Sequence, residues 1–310
     1  MRIFQRLVAA GLIGLLAGCS TVSRTGTAPA SPSAAPPTAE VSEQRSVLEY
    51  SALNRTPAVE RYYLGGEPIP AEPVVTIENT GYAVGFSEDL IDPLWVAYYC
   101  GPYPTFPNGE RPGRFSSDSR VRASARLKHE DYNRPKGGTP TYDRGHMAPN
   151  YAIATRYGRA AQLETFLLTN IVPHRSSLNQ QTWKALEAEI ARNFAPGCKG
   201  VWVTVGPIFT KPITRYNGKA AMPSAFYCII VDRTETGTLR ALALTMDQSV
   251  TGKRRIGEFI TTIREIEQQT DINFFAALPD EIEDALECAK ADKDWNWDLV
   301  LDANRYIGGD

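Results

Sequence analysis

Tyr142-Asp143-Arg144-Gly145-His146-Met147-Ala148-Pro149 is the stretch around which this 310-residue chain is read. It lies between two backbone breaks, Gly137-Gly138-Thr139-Pro140 before it and Pro149 at its end. His146 is one of three histidines, with His129 and His174. Imidazole is the side chain best suited to remove a proton from water near neutral pH. An arginine, Arg144, stands two positions away.

Working outward, three further segments carry polar residues in readable contexts: Thr169-Asn170-Ile171-Val172-Pro173, Leu178-Asn179-Gln180-Gln181-Thr182-Trp183 with Leu186-Glu187, and, upstream, Arg114-Phe115-Ser116-Ser117-Asp118. A histidine base, an arginine, an amide ligand and a carboxylate are the parts needed to hydrolyse a phosphodiester with one divalent metal. A tetrapeptide alone is a weak signal. The ordered set is a strong one.

Around these segments the pattern predicts strands at Trp95–Tyr99, Phe166–Thr169 and Val201–Val205, the last closed by Gly206-Pro207. Phe226–Val231 and Leu239–Leu244 read as paired strands joined by Thr234-Glu235-Thr236-Gly237. A helix capped by Ser176 or Ser177 runs to Asn193 and buries Trp183, Leu186 and Ile190. A second is expected over Gly252–Gln268, with Ile256, Phe259, Ile260, Ile263 and Ile266 buried, and a short third over Glu281–Ala289. Irregularly mixed strands and helices argue for an α+β fold around a largely antiparallel sheet flanked by helices.

On a regular helix, Asn179 and Glu187 stand about 80° apart with a rise of about 12 Å. One ion does not easily take both as direct ligands. A neutral amide with several waters around one Mg²⁺ fits better, with Glu187 acting through a water. Mn²⁺ is the expected substitute.

Composition adds bounds. The chain is 43% hydrophobic and 22% charged with a net charge of −2, ordinary for a soluble globular protein and without a bulk nucleic-acid signal. Charge is unevenly placed. Arg111, Arg114, Arg120, Arg122, Arg126 and Lys128 face one acid, Asp118, within a single stretch. Such a stretch can draw in a polyanion, and Arg120, Arg122 and Arg126 are candidates to bind nucleic-acid backbone. The last 31 residues hold ten acids against three bases. Cys100, Cys198, Cys228 and Cys288 are read either as up to two disulfides or as buried free thiols, and their spacing excludes a CxxC-type metal site.

The N-terminus reads as targeting. Arg2 and Arg6 precede the apolar run Leu7–Leu16, which ends in Leu16-Ala17-Gly18-Cys19. This resembles a bacterial lipobox, with residues 1–18 as signal peptide and Cys19 as the acylated first residue. An ordinary secretory signal or a membrane anchor is the alternative. Ser20 lacks the aspartate that resembles an inner-membrane retention signal, which favours lipid anchoring in the outer membrane of a Gram-negative envelope. Residues 19–45, rich in Pro, Ala, Ser and Thr, read as an extended tether. The folded part is then one domain over 46–310, with its core at about 72–290.

The quoted motifs resemble those of the DNA/RNA non-specific endonucleases, ββα-metal nucleases that include mitochondrial endonuclease G. The likeness covers roughly Glu72 to Glu287. It implies that His146 activates water, that Asn179 is the direct protein ligand of a hydrated Mg²⁺, and that Glu187 holds one of its waters. It further implies that Asn170 shapes the His146 site, that Arg114 stabilises phosphoryl charge, and that Arg144 supports the phosphate or the motif's geometry. Asp143 reads as a salt-bridge or turn residue. His174 stands where glutamine is common in the family. The substrate implied is the backbone of DNA, RNA or both. The competing reading is a non-catalytic nucleic-acid-binding envelope lipoprotein on the same fold, which would have little need to keep His146, Asn179 and Arg114 together.

Overall fold

The computed structural model describes residues 61–135, 137–291, 295 and 298–306. The lipobox, Cys19, the tether and the first part of the expected domain lie outside the described residues.

The centre is a seven-stranded antiparallel sheet. Its spatial order is Ile260–Thr261, Leu239–Asp247, Ala225–Arg233, Val201–Ile208, Asp92–Cys100, Ala83–Ser87 and Val75–Glu78. Both faces are covered. Val96, Tyr98 and Cys100 enter one core, where Trp183, Leu186 and Ile190 pack. Trp95 and Ala97 enter the other, with Ile263, Ile266 and Leu286. A strand buried on both sides has no polar face, which is why Phe226–Val231 reads as a continuous apolar run rather than an alternating one. The expected strands at Trp95, Val201, Phe226 and Leu239 all lie in this sheet, each running past its expected C-terminal end.

Two expectations need correction. Phe166–Thr169 is not a strand: Leu168–Asn170 forms a 3₁₀ turn, and only Leu167 bridges, to Ser116. The helix expected over Gly252–Gln268 begins only at Ile263. Ile256 and Phe259 belong to one core and Ile263 and Ile266 to the other. One straight helix cannot serve both faces of a sheet, so the chain crosses the edge as the strand Ile260–Thr261. Thr262 and Glu265 then form a reciprocal capping box that starts the helix. Of the two readings of the cysteines, the structure shows free thiols: Cys100, Cys198, Cys228 and Cys288 are all unpaired, though only Cys100 and Cys228 are buried.

A second, two-stranded sheet pairs Tyr142–His146 with Ile171–Arg175, His146 opposite Ile171 and Asp143 opposite His174. Gln248, just past the end of a central strand, donates to Pro173 O at 2.8 Å and accepts from Arg175 N at 2.7 Å, tying this ribbon to the main sheet. Between its strands the chain makes the helix Asn150–Glu164, which the sequence reading missed. After them comes a helical run from Ser176 to Gly197, so strand, strand and helix converge in the ββα order. The third expected helix is present as Asp280–Cys288.

Candidate active site

The ribbon, the run after it and the loop before residue 114 enclose a cleft of about 1220 Å³. Side chains alternate along a strand. Tyr142, Arg144 and His146 therefore share the face that lines the cleft. Gly145 points the other way and has no room for a side chain, since a Cβ there would come within 2.4 Å of the His174 Cβ. His174 is fully buried behind the ribbon, stacked on Phe226 at 4.0 Å, with neither ring nitrogen hydrogen-bonded. It does not line the cleft.

His146 lies against the rings of Phe115 and Phe166, at 5.4 and 4.9 Å between centroids. Burial, helped by the charge of Arg111, pushes its pKa down to about 3, so it is neutral over the physiological range. Its Nε2 is buried and has no hydrogen-bond partner. The Nδ1 edge is the one left to the cleft. The loop after His146 is pinned by Asn170, which is fully buried. Asn170 Oδ1 accepts from Ala148 N at 2.8 Å, and Asn170 Nδ2 donates to Ala148 O and Thr165 O, both at 3.0 Å. Asn170 thus holds the base from behind and touches nothing in the cleft.

Asp143 is a hub of four donors. Ser176 Oγ at 2.7 Å and Arg134 Nη2 at 3.1 Å reach its Oδ1. Gln180 Nε2 at 2.7 Å and Asn179 Nδ2 at 3.1 Å reach its Oδ2. Burial would raise the Asp143 pKa, but these hydrogen bonds outweigh it and hold the carboxyl below its ordinary value. A carboxylate only accepts, so Asp143 selects the Nδ2 edge of Asn179 and turns Oδ1 away from itself. Asn179 lines the cleft, and its carbonyl oxygen is there to be used.

The cleft face of the helical run carries Asn179, Gln180, Lys184, Glu187, Ala188 and Arg192. From Gln180 onward these recur at three- and four-residue steps, the spacing of one helical face. Two turns of the run, Asn179–Trp183 and Ile190–Phe194, are π turns. Asn179 and Glu187, expected about 80° apart on a regular helix, both line the cleft.

The cations also differ from expectation. Arg144 lines the cleft, donating to His129 O at 2.9 Å and to Asn133 Oδ1 at 3.2 Å. Arg114 does not; it is exposed and paired with Glu130 at 2.6 Å. Arg120 grips the buried Asp118 with Nη2 at 2.7 Å and donates to Glu78 O and Asn79. Arg122 is paired with Glu88 and Asp89, and Arg126 donates to Val121 O and Ser119 O. These three brace the loop rather than line the cleft, because each guanidinium already satisfies a carboxylate or a row of carbonyls. The cleft cations are instead Arg111, Arg134, Arg144, Lys184 and Arg192. Arg111 was legible in the basic stretch; its wall is held by Gln162, which donates to Gly109 O at 3.0 Å. Lys184 and Arg192 were not singled out in the sequence, although they share helical spacing with Gln180, Glu187 and Ala188.

Oxygen donors at Asn179 and Glu187, beside a neutral imidazole, suit a hard, hydrated divalent cation. Among the described residues no group of three or more His, Cys, Asp or Glu converges to cage an ion. The Asn179 amide oxygen and the Glu187 carboxylate are the oxygen donors of the helical run that line this cleft.

Residues 63–281 match the family model described as DNA/RNA non-specific endonuclease. The mitochondrial nuclease EXOG of Mus musculus is 26% identical over 254 residues, 76% of this chain and 67% of its own length. A nuclease of Serratia marcescens is 25% identical over 226 residues, covering 72% of this chain and 83% of its own. The solved EndoG/EndoGI complex contains a chain with the same fold, at a TM-score of 0.58 and 22% identity, over 69% of this chain and 90% of that one. Its antiparallel sheet, its strand–strand–helix site and the match over most of its length place this chain in the DNA/RNA non-specific endonuclease family.

Proposed function

We propose that this enzyme, a phosphodiesterase by family, cleaves DNA and RNA internally with little sequence preference, through His146 as general base and a hydrated Mg²⁺ held by Asn179. One observation carries the reading. A neutral imidazole and an oriented amide oxygen share a cleft with five cations.

His146 carries its proton on Nε2, among the Phe115 and Phe166 rings, and takes the proton of the attacking water on Nδ1. Arg144 and Arg111 meet the charge that grows on the phosphoryl oxygens. Arg114 is left outside this set, since it does not line the cleft. Asn179 holds the cation directly, and Glu187 orients one of the ion's waters. When bound, the cation supplies Lewis acidity at the leaving oxygen. The five cations of the cleft suit a backbone-directed enzyme.

The location belongs to the same proposal. Cys19 is lipidated, and the tether of residues 19–45 holds the domain off an envelope membrane, with the outer membrane favoured. Its support is the lipobox-like Leu16-Ala17-Gly18-Cys19 and Ser20.

The test is incubation of the purified soluble domain with plasmid and with RNA, each with Mg²⁺ and with excess chelator. Cleavage of both that is abolished by chelation and restored by Mg²⁺ or Mn²⁺ is the expected result. Full activity under exhaustive chelation overturns the metal assignment.

A further inference from the structure

One wall of the cleft is the chain from Asn108 to Arg111. It belongs to a loop that starts after Cys100 and is braced along the helix Asn150–Glu164. Thr105 N and Phe106 N both donate to Thr155 O, at 2.8 and 3.0 Å, and Thr105 Oγ1 donates to Arg156 O at 3.1 Å. Gln162 Nε2 donates to Gly109 O and to Asn150 Oδ1, both at 3.0 Å, and Arg159 donates to Glu110 O. Held in this way, the loop turns two rings to solvent: Tyr103 is 66% exposed and Phe106 48%. Among the described residues the exposed large hydrophobics are Ile69, Tyr103, Phe106, Leu163 and Val300, so the exposed aromatic rings of that set are both here. The Phe106 ring has a built seat. It lies over Gly158, a kink in the helix with φ of 85°, where a Cβ would stand 3.3 to 3.5 Å from Cδ1, Cε1 and Cγ of the ring. A positive φ favours glycine, and glycine leaves the helix surface bare beneath the ring. One side of Phe106 is thus backed by the helix and the other is open.

We infer that Phe106, with Tyr103 three residues before it, is a stacking platform for an unpaired nucleobase of the strand that enters the cleft. The inference rests on the nuclease reading of that cleft and adds the form of substrate it takes. Surface hydrophobics scattered singly need no explanation. Two rings on a braced loop that continues into a cationic cleft do. Arg111, on the same wall, acts with Arg134, Arg144, Lys184 and Arg192 to draw a phosphate backbone in. A strand whose phosphates lie in the cleft carries its next bases past the rim, where the open face of Phe106 meets one. Stacking on an aromatic face is tolerant of base identity, which agrees with low sequence preference. From Phe106 to Asn108 the chain spans at most about 7 Å, or about two nucleotides of a stacked strand. The stacked base therefore belongs to the first or second nucleotide outside the cleft. In a duplex the base faces are already stacked on one another, and unstacking and unpairing must come first. The platform favours single strands, gaps and frayed ends over intact duplex.

The experiment compares wild type with Phe106→Ala and with Phe106→Tyr, which keeps the ring. Substrates are a single-stranded oligonucleotide, the same sequence as a duplex, and single strands carrying one abasic position scanned along the length. Phe106→Ala should weaken single-strand binding by about five- to 100-fold, the worth of one stacked base, and leave duplex binding and Tm near wild type. Phe106→Tyr should bind the single strand like wild type. In wild type, cuts on one side of the abasic position should weaken at one fixed spacing; in Phe106→Ala that local dip should flatten. Unchanged single-strand binding by Phe106→Ala, or equal loss on single strand and duplex, overturns the platform. So does a Phe106→Ala variant that keeps its single-strand affinity but no longer associates with phosphatidylglycerol vesicles, which would give the rings to a lipid surface. Wild type that cleaves no substrate overturns the nuclease reading, and the platform with it. A wild type that cleaves, with a cut pattern indifferent to the abasic position, defeats the platform alone.

Discussion

Asn179 Nδ2 donates to Asp143 Oδ2 at 3.1 Å, and this single contact decides which atom of the amide the cleft receives. The residue read from sequence as a salt-bridge or turn carboxylate is the one that orients the proposed metal ligand. Asp143→Ala should therefore weaken the cation by about 10- to 100-fold, the usual cost of losing a supporting partner. The measurement is activity against Mg²⁺ concentration. A raised half-saturation point with recovery of turnover at high Mg²⁺ is expected; an unchanged Mg²⁺ dependence would mean that Asp143 is only structural.

His146→Ala should lower turnover by about 10²–10⁴-fold, the range for removing a general base. Wild-type kcat/KM should not fall across the ordinary imidazole range near pH 6.5, because burial and Arg111 hold this group down to about 3. The acid limb of the pH profile should lie well below 6. A limb at 6.5 in folded enzyme would identify a solvated imidazole as the base, with the half-buried His129 the first to examine.

Two buried histidines also predict how the fold responds to acid. His146 and His174 are each pushed down to about 3 by burial, with Asp143 partly opposing the shift at His174. Above pH 6.5 both are neutral folded or unfolded and contribute no pH dependence. Between 6.5 and 3 the unfolded chain binds protons that the folded chain does not, so stability falls as pH drops, by about 1.4 kcal/mol per pH unit for each imidazole. His174→Leu should flatten that slope by one such contribution and raise Tm at pH 5. Denaturant melts at pH 7, 6 and 5 read this directly, and parallel curves for variant and wild type would refute it.

Arg120 and Arg111 should behave oppositely. Arg120→Ala strands Asp118, whose side chain is 3% exposed, and should cost about 2–3 kcal/mol of stability, less than a fully buried pair because Arg120 is itself partly exposed. Its kcat per folded molecule should stay near wild type. Arg111→Ala should leave Tm alone, weaken binding and reduce the salt dependence of log K by about one unit. The reverse pattern in melts and salt titrations would restore Arg120 to the nucleic-acid interface.

Cys19→Ser should release the protein from the membrane fraction or stall its processing, since two or more acyl chains are what make anchoring durable. Mass spectrometry of the mature N-terminus is decisive. An unmodified terminus beginning after Cys19 would end the lipoprotein proposal and leave the nuclease untouched.

What the sequence settled by itself was what local chemistry writes down. His146, Asn170, Asn179 and Glu187 stood in contexts short enough to recognise, and the apolar runs at Trp95, Val201, Phe226 and Leu239 announced strands of a largely antiparallel sheet. The buried stripe Trp183, Leu186 and Ile190 followed from periodicity and is buried as expected. Tertiary structure decided the rest, because the rest depends on partners remote in sequence. Whether an arginine in a basic stretch faces substrate or a carboxylate depends on where Asp118, Asp89 and Glu130 come to lie. Whether Ile256 and Ile263 share a helix depends on which face of the sheet each must cover. Gln180, Lys184, Glu187 and Arg192 recur at helical spacing, but that this face looks into a cleft depends on the ribbon and loop that form the opposite wall.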